Sequence, residues 1–193
     1  MPGGSEATLT PMRGSDGPVR TAGEAPPEID DLEEPESGGA GAWFLLALAV
    51  VGLGVSAYLT TVHYAGIAAI CPAGGGIVNC QGVLSSVYSV VPGTSVPVTV
   101  PGMLWFIVSG VLAAASLRAA RQGLAEPTWL RPAHLAWAAA GMIGVLYFVF
   151  CEIVELHEIC LWCTSVHLMV LASLLVAISR LQPGGLAAEG EPE

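Results

Sequence analysis

The chain is 193 residues long, 53% hydrophobic and only 11% charged, with a formal net charge of -10. A soluble domain carries about 25% charged residues, so most of this sequence is not built to face water, and its length suits a single domain. Nine of the sixteen acids lie in residues 1–40 and three in the last five. The negative charge therefore belongs to the tails and points neither to an acidic substrate nor to nucleic acid.

Residues 1–40 are rich in Gly, Pro, Ser and acids and nearly free of large apolar side chains. Such a segment cannot bury enough surface to offset its ordering entropy, so it is expected to be a disordered tail, as is the acidic stretch 183–193. The approach to the first apolar run is acidic rather than basic, which argues against a cleaved signal peptide. Between the tails, residues 41–182 are expected to form one membrane domain.

Four apolar segments follow in order, Ala42–Tyr64, Pro101–Ala119, Ala133–Glu152 and Leu161–Leu181. Each is near the roughly 20 residues that cross a hydrocarbon core. The predicted fold class is an all-α integral membrane protein, a bundle of four transmembrane helices. Glu152, Glu155 and Glu158 interrupt the far end of the third segment, near Cys160 and Cys163; they could relay protons there, but the preferred reading is a solvated, interfacial helix end. Trp43, Trp129, Trp137 and Trp162 fall near segment ends and read as interfacial anchors.

The sequence has no Lys, and its six basic residues are Arg13, Arg20, Arg118, Arg121, Arg131 and Arg180. They occupy the N-terminal tail, the loop between segments two and three, and the C-terminal boundary. With four spans these places share one side, which the positive-inside rule makes cytoplasmic. Both termini are then expected inside a cell membrane. The loops 65–100 and 153–160, which carry no Lys or Arg, are expected outside.

The outer loop holds Cys71 and Cys80 around three consecutive glycines, so the chain between them can fold back and move. The run Val83–Val91 is too short to span and too apolar to float in water. It reads as a flap on the membrane surface. Cys160-Leu161-Trp162-Cys163 opens the fourth segment, and both thiols are predicted on the first turn of its helix. There they would share a face, and the helix dipole would favour thiolate. Two bland readings compete. Zinc held by four thiolates is disfavoured by the wide loop spacing and by an oxidising compartment. Purely structural disulfides are disfavoured because a 160–163 bridge closes too small a ring to stabilise much. Cys151 reads as a buried small apolar residue. His63, His134 and His157 receive no role.

Four spans with a loop cysteine pair, a flap and a Cys-x-x-Cys opening the last helix resemble the vitamin K epoxide reductase family. The resemblance is specifically to its stand-alone bacterial members, which lack a fused thioredoxin-like domain. The resemblance implies Cys71, Cys80, Cys160 and Cys163 as the catalytic cysteines. Cys71 would exchange with a separate thioredoxin-fold (DsbA-like) dithiol protein outside the membrane. A transient Cys80–Cys160 link would carry electrons inward, and Cys163 would face a quinone, menaquinone or ubiquinone. Ser86 and His167 are the implied quinone-binding residues; no metal is expected. His167 lies one helical turn beyond Cys163, at a position where the family often has Tyr. The Asn that animal relatives use for substrate is missing before the second span, which favours quinone reduction over epoxide reduction. A DsbB-type quinone-linked oxidase is the alternative enzyme, but it carries its Cys-x-x-Cys in the first outer loop. A non-catalytic four-helix protein with structural disulfides is the alternative outside enzymes.

Overall fold

In the computed structural model the described residues are 37–71 and 75–181. Both expected tails fall outside them, apart from residues 37–40, which already belong to the first helix. In chain order the elements are α1 (Ser37–Ala65), α2 (Cys80–Leu84), a 3-10 turn (Val87–Ser89), α3 (Thr99–Arg121), α4 (Leu130–Phe150) and α5 (Leu161–Ser179). A π-helical stretch, Cys151–Leu156, carries α4 onward. The described residues contain isolated β-bridges but no named strand. Four segments are long and apolar enough to cross a membrane: Gly39–Ala65, Thr99–Arg121, Leu130–Leu156 and Leu161–Ser179. The third runs four residues past the predicted end, because the backbone stays helical in a wider π form rather than stopping at Glu152.

Lipid tails are as apolar as Leu, so helices in a membrane associate through close packing and hydrogen bonds rather than through a hydrophobic drive. The α1–α3 seam follows that rule. Gly52 leaves the space that the buried Phe106 ring fills, and a β-carbon there would overlap the ring. Gly110 sits over Ala49 and Gly102 over Ser56. At the end of the seam the Thr60 and Thr99 hydroxyls meet at 2.7 Å. Large side chains such as Val50, Leu104, Ile107, Val111 and Leu146 stay exposed on the outside, where a bilayer would cover them.

The α3–α4 contact corrects one expectation. Trp137 is not an interfacial anchor. Its indole N–H donates to the Trp105 carbonyl at 3.1 Å, and the Trp105 indole returns a 3.1 Å bond to the Trp137 carbonyl. Gly141 leaves room for the Trp105 ring. A buried indole N–H must find a partner, and here each finds the other helix's backbone. Trp43 and Trp129 remain exposed, as expected of anchors, and the Arg121 guanidinium lies 4.9 Å from the centre of the Trp43 ring.

The arginine-bearing ends of the helices are closed by one carboxylate. Glu126 accepts from Arg131 Nε at 2.6 Å and from Arg180 at 2.8 Å, and Arg131 also donates to the Arg180 carbonyl at 3.3 Å. Partial burial pushes the Glu126 carboxyl up, but hydrogen bonds from Ser116 and Arg131 and the Arg180 charge outweigh it and hold it below its ordinary range. The Arg180 side chain is 8% exposed and that of Arg131 48%, so the two bridges are unequal. Glu126→Gln, which strands a nearly buried guanidinium, is expected to cost about 3 kcal/mol. Arg131→Ala is expected to cost under about 1 kcal/mol. Unfolding in detergent measures both. The depressed carboxyl makes the Glu126 contribution full above about pH 4 and lost as acidification passes below its folded value.

Candidate active site

At the opposite end, two backbone hydrogen bonds join the cysteine loop to the entrance of α5. Ile159 N–H donates to the Ile77 carbonyl at 2.8 Å, and Asn79 N–H donates to the Ile159 carbonyl at 3.1 Å. This is a one-residue parallel bridge between Val78 and Ile159. Its register sets Cys80 and Cys160 just beyond the paired residues. Both are fully enclosed, at 1% and 0% exposure, in one cluster with Val83, and Cys71 and Cys163 pack against it. Four cysteines from distant parts of the sequence thus share one apolar nest.

Cys71 and Cys80 are joined in a disulfide with their Cα atoms 5.9 Å apart, while Cys160, Cys163 and Cys151 are thiols. The glycines allow the loop to turn back. Gly76 takes a left-handed φ of 63° and Gly75 a φ of 144°, values that side-chain-bearing residues rarely adopt. Residues 72–74, and with them the first of the three glycines, lie outside the described residues. Trp162 fixes the loop from below: its indole donates to the Ile70 carbonyl at 2.7 Å, and its ring packs on Tyr58 with centroids 5.2 Å apart. The Trp162 side chain therefore ties the Cys-x-x-Cys to the residue before Cys71.

Cys160 is not on the first helical turn, as the sequence predicts, but is the N-cap of α5 in an extended conformation. The cause is the bridge, which holds Ile159 in a strand-like path until the helix begins. Cys160 Sγ accepts from the Cys163 N–H at 3.4 Å, as cap side chains do. A hydrogen bond from the Cys163 thiol is the main influence on Cys160. With the backbone N–H groups of the helix N-terminus, it holds the Cys160 thiol below its ordinary value despite burial, which pushes the other way. The two cysteines are thereby distinguished. Cys160 is enclosed beside the loop, and Cys163 faces inward.

What Cys163 faces is a cavity of about 730 Å³ between the helices and beneath the flap. Pockets for small molecules run from about 300 to 1,000 Å³, mostly apolar with a few polar groups. This lining fits that description. Leu59, Val83, Phe106, Val145, Phe148 and Val166 supply apolar wall, and Ser86, His167, Glu152 and His63 supply polar atoms. An apolar ring compound with two carbonyl oxygens, such as a quinone, suits such a wall. The flap is the roof. It comprises α2 and the 3-10 turn, is tied back by a Val90–Pro97 bridge, and is tethered by the Tyr88 hydroxyl donating to Glu155 at 3.3 Å. The Glu155 carboxylate pushes that hydroxyl above its ordinary value.

Six candidate residues were singled out in the sequence, and all meet here. The cysteines form the nest, and Ser86 and His167 line the cavity. The Ser86 hydroxyl gives its proton to the Val83 carbonyl at 2.8 Å, so only its lone pairs point outward. Cys151 is buried, as expected, and lines the same cavity. Glu152 overturns an expectation. It is not a solvated helix end but a buried carboxyl, 6% exposed, on the cavity wall, while Glu155 is exposed and Glu158 partly so. Glu152 continues the face of Gly141, Val145 and Phe148 that lines the cavity, and the chain then reverses at His157, whose φ is 55°. A carboxylate eight residues before a Cys-x-x-Cys, inside an apolar segment, is the signal that could have found it.

A four-helix membrane bundle that gathers two cysteine pairs over a ligand-sized apolar cavity has the makings of a membrane oxidoreductase. Residues 43–178 match the Vitamin K epoxide reductase family, and the chain belongs to it. A search of curated proteins found no significant match. Members of the family are multi-pass membrane oxidoreductases that couple disulfide chemistry to quinones. Among the described residues no group of three or more His, Cys, Asp and Glu side chains is placed to hold a metal.

The join between loop and helix depends on Asn79. Its side chain donates to Glu158 at 2.8 Å and accepts from Gly82 N–H at 2.9 Å, capping α2. A β-carbon on Gly82 would collide with the Glu158 carboxylate and the Asn79 amide. Asn79→Ala is expected to lose about 1 kcal/mol as a missing cap. Gly82→Ala is expected to cost about 1–3 kcal/mol through overpacking. Thermal melts of Gly82→Ala/Glu158→Ala should show less loss than the sum of the single changes, because the second removes the atoms the first strikes.

Proposed function

We propose that the chain oxidises a dithiol protein outside the membrane and passes the electrons to a membrane quinone, in support of disulfide bond formation. The observation that carries this reading is the nest itself. Cys80 and Cys160 are enclosed together, with Cys71 on the loop side and Cys163 on the cavity side. Disulfide exchange proceeds only where a thiolate can reach a sulfur, and this order provides one step after another.

The partner is a separate thioredoxin-fold, DsbA-like protein with two thiols. One partner thiolate attacks Cys71, the Cys71–Cys80 bond breaks, and the second partner thiolate releases Cys71, leaving the partner oxidised and the loop pair reduced. Cys80 then attacks Cys160 of an oxidised Cys160–Cys163 pair, and Cys163 leaves with the electron pair. Cys71 next attacks Cys80, which restores the loop disulfide and frees Cys160. The arrangement with Cys71–Cys80 joined and Cys160 and Cys163 as thiols is the product of that step. A bound quinone supplies a two-electron, two-proton acceptor. The apolar walls hold it and exclude water; His167 meets one carbonyl oxygen, and Ser86 can donate to the other once its hydroxyl turns away from the Val83 carbonyl. No residue of the lining selects between menaquinone and ubiquinone.

Orientation follows from charge. Arg118, Arg121, Arg131 and Arg180 gather at the end away from the cysteines, so that end and both termini are proposed to be cytoplasmic. The cysteine end then faces a compartment where disulfides persist. The family match weighs against a DsbB-type arrangement. Cys163→Ala is expected to abolish quinone-dependent oxidation of a reduced thioredoxin-fold protein in membranes. Survival of that activity in the variant would overturn the reading.

A further inference from the structure

The exchange just described leaves an unanswered charge. When Cys80 attacks Cys160, the electron pair of the broken bond arrives on Cys163, whose sulfur faces an apolar cavity. An anion in such surroundings is costly unless it is paired or protonated. No Lys exists in the chain, and the described arginines at 118, 121, 131 and 180 belong to the opposite end of the bundle. The closest proton-bearing candidate is a carboxyl that the sequence places at a helix boundary and the structure places inside.

We propose that Glu152 is a catalytic acid and base for Cys163, the group that protonates it when the Cys160–Cys163 disulfide opens. This rests on the four-cysteine relay. Three features of position support it. Glu152 is buried at 6% exposure on the cavity wall that also carries Cys163 and His167. Its carboxyl lies beside the Cys163 thiol and the Cys160 backbone, next to the bond that breaks. It also borders a second, outer cavity of about 340 Å³ between α4 and α5, again with His167. Glu152 and His167 therefore stand together between two spaces.

The step balances as follows. Cys80 sulfur forms a bond to Cys160, the Cys160–Cys163 bond breaks, and its electron pair goes to Cys163. The Glu152 carboxyl gives Cys163 its proton and becomes a carboxylate. That carboxylate takes the proton back when Cys163 surrenders its electrons, so the side chain returns to its starting form each cycle.

The test follows internal exchange without quinone. Full-length protein in quinone-free nanodiscs, with both pairs oxidised, receives one equivalent of dithiothreitol. Samples are acid-quenched and alkylated, and mass mapping times the arrival of thiols at Cys160 and Cys163. Glu152→Gln is expected to slow that arrival on the order of a hundredfold, with reduction of Cys71–Cys80 and the melting temperature unchanged. Glu152→Asp should restore much of the rate, and His157→Asn, exposed at the end of the same turn and in a left-handed conformation that Asn tolerates, should leave it untouched. Wild-type speed in Glu152→Gln overturns the proposal. So does equal slowing by His157→Asn, or slowing that Glu152→Asp does not relieve, since either marks a structural effect. A wild-type chain that passes no thiols between the pairs overturns the relay and, with it, the role of Glu152.

Discussion

Everything about the site depends on a single short bridge between backbones. Ile159 donates to Ile77 and accepts from Asn79, and by doing so it fixes a loop from the first half of the chain against the start of the last helix. Without that bridge the loop pair and the Cys-x-x-Cys would be two separate redox motifs on one membrane protein. With it, Cys80 and Cys160 occupy one enclosed nest. The same bridge keeps Ile159 and Cys160 extended, makes Cys160 a cap rather than a helical residue, and leaves Cys163 alone on the helix facing the cavity. The division of labour between the two cysteines is a consequence of where a strand-like path ends and a helix begins.

The rest of the bundle serves to make that bridge possible. The small-residue seam lets α1 and α3 approach closely, and the paired indoles of Trp105 and Trp137 fix α4 against α3. Those contacts set the width of the cavity under the flap. At the far end Glu126 gathers Arg131 and Arg180, tying α4 to the end of α5. Trp162 and Asn79 then hold the loop from two directions, one by a long indole reach to Ile70 and one by a cap that also bonds Glu158. The cysteine loop is thus anchored at both of its ends.

Much of this was legible in the sequence because it is written in composition and spacing. Four apolar runs gave four helices, with ends shifted by only a few residues, since hydropathy reports length better than caps. The cysteine placement was enough to name the family and the four cysteines of the nest, and the resemblance added Ser86 and His167, which line the cavity with Cys163. Which cysteines would be joined was not legible in the sequence; the structure joins Cys71 to Cys80. What escaped the sequence was non-local. Nothing around Ile77 or Ile159 announces that they pair, so Cys160 reads as helical. Trp137 looks like an anchor because its partner is a carbonyl 32 residues away. Glu152 reads as the edge of a span because apolarity breaks there, although its spacing from Gly141, Val145 and Phe148 sets it on the face that lines the cavity.

The central claim is that Cys80 and Cys160 are the point of passage between the two pairs. The most direct measurement removes their other partners. With Cys71 and Cys163 both replaced by Ala, membranes exposed to a mild oxidant should accumulate a Cys80–Cys160 disulfide, seen by mass mapping of non-reduced peptides. That link should form in nearly all chains, because both sulfurs already share one enclosure. Its absence, with Cys80 or Cys160 left free or joined instead to Cys151, would contradict the account.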